Sequence, residues 1–221
     1  MLLFTDDVKL YYVIPSKSNS DLLQAELLRL QVWSSKNGLP LNPSKWEVIS
    51  FSHGVQINSQ PYILLDDELE RVQHIRGLGV VLDASLNFDQ QLEAVVSNCL
   101  RLFGFIRNVT LDFTNPLMIA YLYNTLVLPI LTYCIPIWCP KTEAALKELV
   151  AIENKFFRYA STKTTNPMHY FNHDYTQIRS LLKIESLKSQ IKKIDYLVAF
   201  IGKLLMLRPN SITSAIQPPL G

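Results

Sequence analysis

An α+β chain is predicted, and three observations predict it. Before about residue 84, short runs of β-branched and aromatic residues are separated by turn formers, which is how half-buried strands read. Within that region one stretch repeats Leu22, Leu23, Leu27, Leu30 and Trp33 at helical spacing. After residue 89 apolar residues recur at three- and four-residue intervals through most of the chain, the pattern of amphipathic helices.

The first stretch sets Asp6 and Asp7 between Leu2-Leu3-Phe4 and Val8-Lys9-Leu10-Tyr11-Tyr12, and both flanks read as strands. Adjacent strand residues point to opposite faces, so both acids reach one site only at the tight turn of a hairpin. Two hard carboxylates on such a turn suit Mg²⁺, which binds through one or two carboxylates plus substrate phosphates. A site of that kind stabilises the attacking and leaving oxygens of a phosphoryl transfer. A solvated turn is the commoner use of an Asp-Asp pair, because turns favour Asp for their own reasons.

Ser18-Asn19-Ser20-Asp21 offers capping residues for the helix that follows, and Lys36-Asn37-Gly38 ends it with a basic last turn and a glycine. Lys45 then opens a strand over residues 46–51. Short strands are expected at Val55-Gln56-Ile57, Tyr62-Ile63-Leu64, Ile75 and Val80-Val81-Leu82. Asp66-Asp67-Glu68 with Glu70 reads as a solvated loop tip, not as a metal site. The Gly77-x-Gly79 pair is no phosphate loop, since it lacks a third glycine and precedes a strand.

Residues 89–107 are helical, with Leu92, Val95, Val96, Cys99, Leu100 and Phe103 on one side. No charge occurs between Asp112 and Lys141, and the apolar run 117–139 is long enough to span a bilayer. Pro129 and Pro136 divide it, Asn124, Thr125 and Thr132 lie inside it, and its tyrosines are internal rather than terminal. A buried helical hairpin is therefore favoured over a span. Residues 143–159 form a helix with Leu146, Leu149, Val150, Ile152 and Phe156 inward and Lys147, Lys155 and Arg158 outward. Residues 161–167 are the clearest linker. His169 and His173 lack the further ligands a zinc site needs. Residues 187–207 make a last amphipathic helix with Lys188, Lys192 and Lys193 near its start.

Hydrophobic residues are 48% and charged ones 18%, which excludes a disordered chain. The net charge of +2 is unremarkable, but its distribution is not. Residues 1–140 hold 9 Lys/Arg against 13 Asp/Glu, a balance of −4; residues 141–221 hold 12 against 6, a balance of +6. An acidic half followed by a basic half fits a metal-dependent site joined to a phosphate-gripping extension. The same basic residues also fit solvated helix faces. Cys99, Cys134 and Cys139 are odd in number and lack CxxC spacing, so neither a disulfide framework nor a zinc site is indicated. With no readable signal peptide, an intracellular setting in nucleus or cytoplasm is expected.

Four blocks share an order with a known family. Phe4-Thr5-Asp6-Asp7-Val8-Lys9-Leu10-Tyr11 resembles the Phe/Tyr-Ala-Asp-Asp block, motif C, of reverse transcriptases from jockey-like non-LTR (LINE-type) retrotransposons, with Thr5 in place of Ala. Trp33-Ser34-Ser35-Lys36-Asn37-Gly38-Leu39-Pro40-Leu41-Asn42-Pro43-Ser44-Lys45 is similar to the family's next block, in which a helix ends at Asn-Gly before Leu-Asn-x-x-Lys. Leu78-Gly79-Val80-Val81-Leu82-Asp83, followed by Leu86-Asn87-Phe88, resembles the third. Leu122-Tyr123, Leu126-Val127 and Ile137-Trp138-Cys139-Pro140 match a thumb-like region.

The resemblance implies the C-terminal part of a polymerase palm with a primer-grip-like hairpin over 1–84, a helical thumb-like region over 85–160, and a linker with a basic helical tail over 161–221. It implies RNA-directed DNA synthesis on an RNA template and DNA primer, with no small-molecule cofactor. Asp6 and Asp7 become ligands of Mg²⁺, or Mn²⁺, in the full-length parent. Lys45 becomes a candidate proton donor to the departing pyrophosphate. Lys147, Lys155, Arg158, Lys188, Lys192 and Lys193 become phosphate contacts. The strand with the other metal-binding Asp and the fingers would lie upstream, so the chain is expected to be inactive alone. A non-catalytic interaction module and a small protein anchored through 117–139 are the competing readings.

Overall fold

The computed structural model describes residues 2–4, 7–13, 20–51, 60–140, 142–163 and 175–206. They form two compact units, Met1–Asn87 with short strands and one long helix, and Phe88–Gly221, which is helical. The secondary structure is thus mixed α+β.

In the first unit, helix α1 (Ser20–Lys36) ends as its sequence predicts. Gly38 takes φ +65°, its N–H reaches Ser35 O at 3.4 Å, and the Leu39 N–H reaches Ser34 O at 3.1 Å. These paired bonds satisfy carbonyls that the last turn would otherwise leave orphaned. Leu27 packs on Tyr62, Leu64 and Leu69, with Leu10, Leu23, Leu41, Trp46 and Val48 around them. Leu22 and Trp33 instead face solvent, because the buried side of the helix passes through Ser20, Leu27, Leu30 and Ser34.

The described strands pair in twos. β1 (Leu2–Phe4) runs antiparallel to β2 (Asp7–Lys9), with Phe4 opposite Asp7. β3 (Glu47–Val48) is parallel to β6 (Glu70–Arg71). β4 (Ile63–Leu64) and β5 (Asp67–Glu68) form a hairpin, as do β7 (His74–Gly77) and β8 (Val80–Asp83). Both hairpins turn through two residues with positive φ, Leu65 and Asp66 in one, Leu78 and Gly79 in the other. That backbone twist matches the right-handed twist of the flanking strands. The Gln24 side-chain amide donates to Ile63 O (2.8 Å) and accepts from Ile63 N–H (2.9 Å), completing a rung on β4 where a neighbouring strand would otherwise sit.

Three sequence expectations are corrected in this unit. The acidic stretch is not simply a loop tip: Asp66 is in a hairpin turn and Asp67-Glu68 form β5. The strand expected over 46–51 shrinks to Glu47–Val48. Lys45 does not open it but closes a 3₁₀ turn, Pro43–Lys45. Proline fixes a helical φ at the start of that turn, and the Asn42 side chain accepts from Ser44 N–H at 3.1 Å. The strand expected at Val55-Gln56-Ile57 lies outside the described residues.

In the second unit, α2 (Asp89–Val109) buries Val95, Cys99 and Ile106, whereas Leu100 lies at the exposed edge. The uncharged run folds as α3 (Pro116–Leu122), a π turn (Tyr123–Val127), α4 (Leu128–Thr132) and α5 (Ile135–Trp138). Pro129 does not break it, contrary to expectation. A proline ring clashes with the carbonyl four residues back, and the wider turn relieves this: the Leu128 N–H reaches back five residues to Tyr123 O. The reversal comes at Tyr133 and Cys134, where Cys134 takes φ +51° and Trp138 Nε1–H donates to Tyr133 O at 2.7 Å. Tyr123, Val127, Leu131 and Ile135 are all buried, four residues apart. Among the described residues no helix is long and apolar enough to cross a membrane.

Helix α6 (Glu143–Ser161), capped by the Thr142 side chain on Ala145 N–H at 3.2 Å, runs through the middle of this unit. Phe156 meets Phe103 edge-on at 4.9 Å and Tyr123 at 5.2 Å. The Tyr159 hydroxyl donates to Arg107 O (3.2 Å) near the end of α2. Helices α7 (Thr176–Leu182) and α8 (Leu187–Met206) are joined to α6 by a buried carboxylate. Glu153 Oε2 pairs with Arg179 Nη2 at 2.5 Å, and Oε1 accepts from the Leu187 N–H at 2.9 Å.

Burial pushes the Glu153 carboxyl above its ordinary range, against the opposing pull of Arg179 and of the Leu187 N–H. A carboxyl raised in the folded state binds its proton more tightly there, so this group's contribution is complete in acid and is lost as pH rises through the folded value. Glu153→Gln, which keeps an acceptor for Leu187, should therefore gain on the wild type between pH 4 and pH 7. Glu153→Ala removes both contacts and should cost about 3 kcal/mol at neutral pH. Urea unfolding followed by circular dichroism measures both.

Candidate nucleic-acid interface

In the first unit, β1 and β2 flank the acidic pair as strands, but Asp6 lies outside the described residues and of Asp7 only the backbone is described. Asp7 is the first residue of β2 rather than part of the connection. Lys9, at the end of the same strand, reaches the second hairpin: a methyl group on Gly77 would stand 2.9 Å from Lys9 Nζ, so the glycine leaves room for the ammonium. Sequence reasoning passed over Lys9. Lys45 is exposed at the end of its 3₁₀ turn, its N–H bonded to Asn42 O at 3.1 Å. No described carboxylate forms an ion pair with it.

No group of three or more His, Cys, Asp or Glu among the described residues is placed to hold a metal ion. A two-ion phosphoryl-transfer site needs carboxylates from more than one strand. The described donor set includes neither Asp6 nor the Asp7 side chain. His169 and His173 lie outside the described residues.

In the second unit all six basic residues singled out by sequence are exposed. Lys147 and Arg158 are eleven residues apart on α6, three turns along nearly the same line, with Lys155 further round the helix. They are not equally free. Lys147 pairs with Glu143 at 3.6 Å, and Arg158 Nη2 donates to the Tyr175 hydroxyl at 3.2 Å. Lys193 Nζ lies 2.6 Å from Glu185 Oε2, and its hydrogen bond holds that carboxyl below its usual range. Lys155, Lys188 and Lys192 form no ion pair among the described residues.

Lys188 also borders a cleft of about 250 Å³ with Glu153, Asn154, Tyr175, Arg179 and Ser186. The floor of that cleft carries charge, yet Glu153 is already saturated by Arg179 and Leu187. Arg179, which lies over the Phe157 ring at 5.0 Å, is a second residue sequence reasoning passed over. No spacing signal connects it to Glu153; only the fold does.

No protein-family model matches the chain, and neither a curated protein nor a solved structure matches it.

Cys99 is not a nucleophile candidate. Burial pushes the Cys99 thiol up to about 12, so it stays protonated and unreactive at neutral pH. Alkylation of the native chain at pH 8 should modify Cys134 and Cys139, both partly exposed, and leave Cys99 unmodified until denaturant is added. Peptide mass spectrometry reads the difference.

Proposed function

We propose that this chain is the C-terminal part of an RNA-directed DNA polymerase of the jockey-like non-LTR type, whose second unit holds a template–primer by its phosphates. Asp6 and Asp7 supply part of the ligand set for Mg²⁺ or Mn²⁺ in the full-length parent, and Lys45 stands in the position of the proton donor. The observation that carries this reading is the approach of Lys9, in the first block, to Gly77, the residue before the third. In a polymerase of this kind the hairpin after the palm helix presses the primer end towards the acidic turn. A contact between those two segments is what that arrangement requires.

The other blocks also fall on discrete elements. The Trp-to-Lys block spans the end of α1, its glycine cap and the Pro43–Lys45 turn; the last block covers the end of α5 and the two residues after it. In this reading the first unit is the palm-like part and the helical second unit the thumb-like one.

No second segment of the 221 residues resembles the strand with the remaining metal-binding carboxylate, so the isolated chain should incorporate no nucleotide on a primed RNA template with Mg²⁺ or Mn²⁺. Incorporation that is abolished by Asp6→Asn would overturn that expectation. Binding should persist. With Lys147 and Lys193 occupied by their own carboxylates, roughly three or four phosphates are contacted, giving a log–log salt slope of about −3 and micromolar affinity for an RNA–DNA hybrid. Fluorescence anisotropy should show Lys192→Ala weakening the complex more than Lys193→Ala. A chain that fails to bind the hybrid even at low salt removes the template–primer reading.

A further inference from the structure

Among the described residues of the second unit, two of the three most exposed aromatic side chains stand on α8, where nothing in the fold accounts for them. Tyr196 is 77% exposed and Phe200 60%. Helix α8 buries Leu187 and Ile191 against the rest of the unit, but from Tyr196 onward its described side chains are exposed. Exposed aromatic rings in sequence neighbourhood are a cost unless something covers them.

We infer that this face of α8 is a stacking strip for unpaired nucleotides. Lys192, Tyr196 and Phe200 follow one another at four-residue steps, and Lys203 falls between Lys192 and Tyr196 in angle, so all four side chains share one side of the helix. A four-residue step advances about 6 Å along the axis. Two stacking spacings of about 3.4 Å come close to that distance, so a single base fits between the rings. Every base has a π-face, and stacking on aromatic side chains combined with flanking cations is how single strands are held without reading their sequence. Lys192 and Lys203 form no ion pair among the described residues, which leaves their ammonium groups for the backbone phosphates. A base-paired hybrid offers no free base face, so the strip selects single strands: an unpaired template segment in the setting proposed above, on which this inference rests.

The charge decides among occupants. An apolar partner or a second copy of the chain would leave Lys192 and Lys203 desolvated beside the rings, whereas a polyanion with flat apolar faces satisfies both kinds of group at once.

The test uses the whole chain, a fluorescein-labelled oligouridine of about a dozen nucleotides, and an RNA–DNA hybrid. Tyr196→Ala combined with Phe200→Ala should weaken oligouridine binding at least about tenfold while leaving hybrid affinity, the melting temperature and the salt slope unchanged, because the rings carry no charge. Lys192→Ala with Lys203→Ala should instead lower the salt slope by about 1 to 2. Val198→Ala, on the opposite side of the helix, serves as the control and should bind as the wild type does. Oligouridine binding unaffected by loss of the rings overturns the strip, and leaves the template–primer reading standing if the hybrid still binds. Ring-dependent single-strand binding with no hybrid binding does the reverse. Uptake on phosphatidylserine vesicles without oligouridine binding, or ring-dependent dimers in sedimentation, also overturns it.

Discussion

Glu153 is the residue on which the arrangement of the second unit depends. Its carboxylate lies in the middle of α6 and reaches two groups from later in the chain, the Arg179 guanidinium on α7 and the first N–H of α8. A carboxylate stripped of water is costly, and removing either partner would leave a buried charge unmatched. The pair therefore fixes where α8 begins. Ile191, one turn on, is the last buried side chain among the described residues of that helix, and the exposed lysines and rings follow from that starting direction. One buried acid thus sets the orientation of a surface that it does not touch.

The uncharged run between Asp112 and Lys141 shows a second constraint. A proline in a helix of this length forces a kink, a break or a widened turn, and the chain takes the widened turn. The π turn adds a residue to the repeat, which is why Tyr123, Val127 and Leu131 remain on one buried line at strict four-residue spacing. Without that insertion the line would drift round the helix by about 40° per step. The proline and the buried stripe are solutions to the same packing problem.

What the sequence made legible was mostly local. The glycine cap of α1, the Thr142 cap of α6 and the inward faces of α2 and α6 depend on residues within a turn or two of one another, and they follow from capping and periodicity alone. Lys45 departs from its expected place for a local reason too: the Asn42–Pro43 pair nucleates a turn, a signal weaker in the sequence than the β-rich residues after it. Glu153 was not legible, because Arg179 and Leu187 lie far along the chain and a single acid in a helix pattern looks like any surface acid. The same holds for Gln24, whose partner is a strand edge no periodicity can point to. Of the candidate site, the exposure of the six basic residues followed from helix faces, whereas their pairing with Glu143 and Glu185 reduces how many are available.

Formal charge and available charge therefore differ. The +6 balance of residues 141–221 counts Lys147, Lys193 and Arg179 in full, yet each has a carboxylate within ion-pair distance. At the exposed pairs the attraction is weak, but a phosphate must still displace a carboxylate there and so gains less than at an unpaired lysine. At Arg179 it cannot, since Glu153 would be left bare in a low-dielectric core. The cations open to a polyanion are thus those on the outer faces of α6 and α8, and they are spaced along two helices rather than gathered in one pocket. A spread of that kind gives affinity that is shallow per contact and indifferent to sequence. Any preference between paired and unpaired nucleic acid must then come from uncharged groups, and among the described residues of α8 the exposed aromatic ones are Tyr196 and Phe200.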